Sequence, residues 1–260
     1  MMIMSGLGPA LAVEAAKFRR ARVPVTTTAM LVGGVALMCV AMLLAVRAGD
    51  PTTVAKFGPT VARGGWSGLL ASAAQITAVG GLLGFGVVVG WCFGREFTDG
   101  TVTGLFGLPV RRDTLAAAKL LVFGAWAVAV SAGLTIALGA AGLLLGFGVP
   151  DGRIGLLLVK QCALGLLTAL LALPAALAAS LGRTVLAGIA MVIGIVVVTQ
   201  IAVISGLGNW FPFAAPGLWA IGQATGAPPV APLQLALVTP VALLSAGLTV
   251  RVWHTLQLDR

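Results

Sequence analysis

The chain has 260 residues, 59% hydrophobic and 9% charged, with a mean hydropathy of +1.09; soluble domains carry about 25% charged residues, so a soluble fold is excluded and an integral membrane protein indicated. The formal net charge of +9 would suit nucleic acid, but the basic residues lie between long apolar segments, as membrane topology places them, and nucleic-acid binding is set aside. Cys39, Cys92 and Cys162 sit singly in apolar runs with no CxxC spacing and no neighbouring histidine, and read as small core residues with no metal site.

In chain order, Leu7, Leu11, Ala15 and Phe18 fall on one arc of a helical wheel, which predicts an interfacial helix within residues 1–26; Glu14 and Arg22 lie near the same arc and weaken the signal. Between Arg22 and Arg47 lie twenty-four uncharged residues. At ~1.5 Å per residue about twenty of them cross a ~30 Å hydrocarbon layer, giving span 1 at 27–46. No small-residue cleavage site follows cleanly, so this span reads as an anchor and not as a signal peptide.

Arg47 to Arg63, with Asp50, Pro51, Lys56 and Pro59, reads as a loop. Gly64 to Gly94 and Leu120 to Pro150 are charge-free runs of thirty-one residues each. They hold span 2, at 68–93, and span 3, expected over 114–148. Pro150, Asp151 and Gly152 make a tight turn. Span 4 follows at 156–181 with a kink at Pro174.

Thr184 to Val250 is sixty-seven residues without a charge, too long for two spans alone. Its ends are span-like and give span 5 at 184–206 and span 6 at 233–252. The middle, 207–232, is broken by Asn209, Pro212, Pro216, Pro228, Pro229 and Pro232 and reads as an extracytoplasmic re-entrant connector. Irregular backbone at membrane depth survives only where protein or a wet cavity satisfies it, so the connector is expected to pack on the bundle. The fold class is an all-α integral membrane protein: six transmembrane helices in a single domain.

Orientation follows from Lys and Arg. With the N-terminus inside, the inner segments hold Lys17, Arg19, Arg20, Arg22, Arg95, Arg111, Arg112, Lys119, Arg183, Arg251 and Arg260, against Arg47, Lys56, Arg63, Arg153 and Lys160 outside. Both termini are then cytoplasmic, and Trp66, Trp91, Trp210, Trp219 and Trp253 fall near span ends, as an aromatic belt would place them.

The stretch Gly94 to Lys119 stands apart. It carries Arg95, Glu96, Asp99, Arg111, Arg112, Asp113 and Lys119, and at ~2.5 to 3.5 kcal/mol for each Asp, Lys or Arg at the centre of a spanning helix it is expected to lie in water. Gly100 and Gly107 weaken helix, Pro109 stops it, and Asp113 suits an N-cap. The pattern predicts a structured cytoplasmic elbow over 94–113, where a partner is able to grip; an ordinary solvated loop is the plainer alternative.

The order Glu96, Gly100, Thr101, Leu105, Pro109, Val110, Arg112, Lys119 resembles the signature of the ABC-2 family of transporter permeases, approximately E-x3-G-T, a leucine, P-V-x-R and a lysine opening the third span. Every position is filled; Arg111 stands where a small residue is usual. The resemblance implies a type V exporter-like permease with an N-terminal interfacial helix and a cytoplasmic coupling helix between spans 2 and 3, in a bacterial inner (plasma) membrane. It also implies a homodimer or heterodimer of permeases and two copies of a separate ABC ATP-binding subunit, which holds ATP and magnesium, with no cofactor in this chain. Under the same resemblance, Glu96, Gly100, Thr101, Pro109, Arg111 and Arg112 contact the ATPase subunit, and Glu96 is also suited to the connecting helix at the N-terminus. Plain positive-inside anchoring is the alternative for Arg111, Arg112 and Lys119.

The sequence has no GxxxxGK[ST] motif and no cytosolic segment long enough for a nucleotide-binding domain, so the chain is not expected to be an enzyme, and energy for pumping would arrive through another chain. The spans carry no Asp, Glu, Lys, Arg or His away from their ends, which argues against an ion-coupled secondary carrier; a carrier or a non-transporting scaffold remain the alternatives to an exporter of a hydrophobic or amphipathic drug, antibiotic, lipid or peptide. Gly80, Gly84, Gly86, Gly90 and Gly94 permit close helix approach, read as packing within one subunit before a dimer seam. The polar residues within spans are Gln75, Thr77, Ser131, Thr135, Gln161, Thr168, Thr199 and Gln200. Because the family places spans 2 and 5 beside the central cavity, Gln75, Thr199 and Gln200 are chosen as the substrate path. His254 reads as a surface residue.

Overall fold

A computed structural model describes residues 6–48, 64–105, 110–225 and 230–257. Among these, six helices are long and apolar enough to cross a membrane: span 1 (Arg22–Arg47), span 2 (Gly65–Thr98), span 3 (Arg112–Leu144), span 4 (Gly152–Leu181), span 5 (Val185–Ile204) and span 6 (Pro232–His254). The predicted loop after Arg47 falls outside the described residues.

The helices overrun several of the boundaries read from hydropathy, because hydropathy marks only the part immersed in hydrocarbon. Span 2 has 34 residues, about 51 Å at ~1.5 Å each, against a ~30 Å apolar layer. Its last turns, with Arg95 and Glu96, therefore continue the helix beyond the apolar layer.

At the N-terminus a helix runs Leu7–Arg20, and Ala21 is extended (φ −81, ψ 142) before span 1 begins at Arg22. The helix within the segment expected over 1–26 thus ends six residues before that bound. Pro24 accounts for the break: its ring would clash with the carbonyl of Arg20 in a continuous helix, whereas in the first turn of a new helix its missing N–H costs nothing. Pro174 acts similarly in span 4, where the α-helical run stops at Leu171 and resumes at Pro174. Three-residue hydrogen bonds, Leu173 N to Leu170 O and Ala176 N to Leu173 O, bridge the gap.

Two apolar clusters fill the bundle. One, towards the elbow, gathers Phe85, Val88, Phe93, Phe123, Ala172 and Ala176; the other gathers Cys39, Leu43, Trp66, Leu69 and Leu138. Spans 2 and 4 are the most enclosed, with 56% of their most apolar stretch buried, and span 5 the least, at 11%. Span 5 is held chiefly by glycines of span 2: Gly86 faces Val192, Gly90 faces Gly188, and a methyl group added at Gly94 would lie 2.5 Å from the Val185 nitrogen. Gly84 instead faces Leu31 of span 1.

Spans 1 and 2 each contain a π-helical turn, Ala29–Gly34 and Thr77–Gly81, and the two turns pack together. After span 5 the chain makes a short 3₁₀ turn, Gly208–Trp210, and a helix, Ala215–Thr225, that packs on spans 2 and 4.

The aromatic-belt expectation fails for two tryptophans. Trp253 is fully buried, edge-on to Phe93 and Phe97 with its indole N–H on the Ser180 hydroxyl at 2.9 Å, and Trp66 is buried and donates to the Gly148 carbonyl at 3.3 Å. An indole whose N–H finds an acceptor inside the protein has no need of the interface.

Candidate functional site

The site lies where the N-terminal helix, the end of span 2 and the start of span 3 meet. On the N-terminal helix, Ala10, Glu14 and Phe18 recur every four residues and share one face, and all three are buried. Phe18 seats edge-on against Trp91 of span 2 and Trp126 of span 3, with ring centres 6.4 and 5.7 Å apart. That wedge carries Glu14, one turn earlier, into the protein.

There Glu14 meets Glu96, and Lys119 lies between them. The Lys119 ammonium donates to Glu14 Oε2 and to Glu96 Oε1, both at 2.8 Å. Lys17 stands 3.1 Å from Glu14 Oε1 and 3.6 Å from Glu96 Oε1. Arg95 stands 4.0 Å from Glu14 and 3.8 Å from Glu96, with its guanidinium over the Trp91 ring at 4.4 Å. Lys119 also lies 5.8 Å from the centre of the Trp253 ring, which brings in the end of span 6. Two carboxylates are thus answered by three cations.

The spacing from Glu96 to Thr101 has a geometric meaning. Span 2 ends at Thr98, Asp99 N–H bonds the Arg95 carbonyl at 2.8 Å, and Gly100 adopts φ +67, the left-handed conformation that closes a helix and favours glycine. The reversal returns Thr101 over the last turn, where its hydroxyl donates to Glu96 Oε2 at 2.7 Å. Each Glu96 oxygen therefore has its own donor.

This geometry corrects the expectation that the whole elbow lies in water. Glu96 and Lys119 are each 3% exposed, and Glu14 is 5% exposed; they are sheltered by protein and by one another. Desolvating such ions roughly offsets their attraction, so the network adds little net stability while it is complete, yet removing one partner leaves an uncompensated buried charge. Its effect is to fix which helices meet.

Arg111 and Asp113 pair through two contacts, 3.2 and 2.8 Å, at the exposed start of span 3. The N-cap of span 3 is Arg111, not Asp113, which sits in the first turn and accepts the Thr114 N–H at 2.8 Å. There its negative charge complements the helix dipole. Arg112 donates to the Leu256 carbonyl beyond span 6. Arg111, Arg112, Asp113 and His254 border an open cleft of about 170 Å³. Between Gly100 and Arg111 one helical turn, Val102–Leu105, is described; Pro109 lies outside the described residues.

The three residues chosen for a substrate path are not brought together. Gln75 is half-buried in span 2, on the far side of its π-turn from the glycines that meet span 5. The Thr199 hydroxyl bonds the Ile195 carbonyl of its own helix at 2.6 Å, and Gln200 is exposed. Of the other polar span residues read from the sequence, Thr77 and Gln161 are bonded to each other at 2.9 Å across spans 2 and 4. Sequence reasoning also left out Glu14, Lys17 and Arg95 as network members; the signal was available in Glu14, an acidic residue beside the apolar arc of the N-terminal helix.

A family model described as ABC-2 family transporter protein matches residues 10–200, from the N-terminal helix through the elbow to span 5. A search of curated proteins returned no match. With the match covering well over half of the chain and six spans of the matching class in the structure, the chain belongs to the ABC-2 family of transporter permeases.

Proposed function

We propose that this chain is the membrane subunit of an ATP-driven exporter, coupled to two ATP-binding subunits that hydrolyse ATP with magnesium. The observation that carries the proposal is the network of Glu14, Lys17, Arg95, Glu96 and Lys119. Force applied at a loose loop dissipates in that loop. Here the elbow leaves span 2 one turn after Glu96 and joins span 3 two turns before Lys119, so a push on it is passed to three helices already tied together.

In this reading, closure of the ATPase pair moves the elbow, and the N-terminal helix and the ends of spans 2 and 3 follow as one block. A second permease copy covers the apolar surface of span 5. The exposed residues Thr101 and Arg111, and the cleft by Arg112, form the outer contact with the ATPase, while Glu96 acts from inside by fixing Gly100 and Thr101. The orientation with the elbow in the cytoplasm of a bacterial cell rests on the Lys and Arg bias. Cargo is hydrophobic or amphipathic, in keeping with spans whose walls are aliphatic.

The test is reconstitution of the permease with its ATP-binding partner in proteoliposomes. Glu96→Gln is expected to keep the complex and its ATP hydrolysis while export falls at least tenfold. Export by the permease alone under an ion gradient would instead mark a carrier, and absence of any transport with or without ATP a scaffold.

A further inference from the structure

We propose that the bundle holds a single buried water molecule, bound between Ser131 of span 3 and Gln161 of span 4 beside Thr77 of span 2. This site is distinct from the charged network and does not depend on the function proposed for it.

Ser131, Gln161 and Thr77 are each 3% exposed. Gln161 Nε2 donates to Thr77 Oγ1 at 2.9 Å, which fixes the amide so that its oxygen faces away from that bond. Gln161 Oε1 and Ser131 Oγ are the two buried side-chain polar atoms without a partner among the described residues. Other hydroxyls in the bundle, those of Thr135, Thr168 and Thr199, bond the carbonyl four residues earlier in their own helices. Ser131 forgoes that option.

Both unpartnered residues line the same cavity, of about 10 Å³, together with Thr77 and apolar walls that include Leu31, Phe85 and Leu134. A water needs about 10–15 Å³ of such space and two to four polar partners. The cavity therefore admits one water and nothing larger. The chemistry matches as well: Gln161 Oε1 only accepts, a hydroxyl both donates and accepts, and a water satisfies the first with one proton while exchanging a bond with the second. A bare cation fits poorly, since no carboxylate faces the cavity and an unpaired charge at membrane depth is costly.

The position gives the water a role. Leu31 belongs to the π-turn of span 1, and Thr77 and Gly81, also on the cavity wall, belong to that of span 2. The site therefore joins spans 2, 3 and 4 at the level where the ladders of spans 1 and 2 are interrupted. A water bridge is a joint that re-forms after small displacements, which a direct side-chain contact of fixed length does not.

The experiment uses the full chain in lipid nanodiscs with side-chain ¹⁵N-labelled glutamine. A magnetisation-transfer cross-peak between bound water and the Gln161 amide protons is expected, lost in Ser131→Val, whose extra methyl fills the cavity, and retained in Thr199→Ala. Should Ser131→Val fail to fold, Ser131→Ala enters a double-mutant cycle with Gln161→Leu. The loss in melting temperature of the double variant is then expected to be smaller than the sum of the two single losses, because either substitution alone already breaks the bridge. A wild-type spectrum without the cross-peak, or strictly additive melting shifts, would overturn the proposal. So would stabilisation by sodium or potassium that disappears in Gln161→Leu, which would assign the cavity to a cation.

Discussion

Within three residues, the end of span 2 joins its neighbours in two different ways. Gly94 presses against the backbone of Thr184 and Val185 in the same chain, a joint made by having no side chain. Arg95 and Glu96 reach the other way, into a network of charges with the N-terminal helix and span 3. The glycine joint specifies a distance and accepts any neighbour thin enough to fit. The charged joint specifies partners, since a carboxylate this deeply buried tolerates only a cation or a donor beside it.

The largest effect is expected where the charged joint loses its centre. Lys119→Met leaves Glu14 and Glu96 facing each other, and a loss of about 3–5 kcal/mol is expected, read as a lower melting temperature in nanodiscs and a lower folded yield. A melting temperature like that of the native chain would mean that the two joints do not differ in kind. Next comes the glycine joint: Gly94→Ala forces spans 2 and 5 apart at a backbone contact and is expected to cost about 1–3 kcal/mol. Spin labels on the two helices should then report a longer separation, whereas Lys119→Met should leave that distance close to its native value.

A smaller effect separates the burial of the two kinds of ion pair. Thr101→Val removes one donor from Glu96 at the partly open edge of the network, and a loss of about 1 kcal/mol is expected. The Arg111–Asp113 pair is exposed, so Asp113→Ala should change stability by under about 1 kcal/mol; the part owed to the ion pair should shrink in molar salt, where the Debye length falls to ~3 Å, while the part owed to the lost Thr114 N–H bond should persist. Smallest of all, Gln200→Ala on the open face of span 5 is expected to alter stability by no more than about 0.5 kcal/mol. A larger shift in thermal unfolding would show that this face is packed in the functional assembly.

The six spans were legible because long apolar runs report themselves locally; the helix ends differ from the expected bounds in both directions, span 2 running on to Thr98 and span 3 stopping at Leu144. The break after span 2 was legible from the density of charge after Gly94 and from Gly100, whereas the return of Thr101 onto Glu96 was not. The network was not, because its central bond joins Glu14 to Lys119, 105 residues apart, and no periodicity within either helix announces the other. The same limit applies inside the membrane. Thr77, Ser131 and Gln161 stood among the polar residues of the spans beside Gln75, Thr199 and Gln200, but which of them face one another depends on helix rotations that composition does not set. The π-turns add to this, since each shifts the faces of its helix partway along.

One small turn carries a mechanical consequence. Only Gly182, Arg183 and Thr184 separate span 4 from span 5, with Arg183 at φ +51, so the two helices form a hairpin with almost no slack at its bend. Gly94 touches that bend directly. Span 5 extends 20 residues from it, about 30 Å at ~1.5 Å per residue, so a tilt of a few degrees imposed at the bend becomes a sideways sweep of ångströms at the opposite face of the membrane.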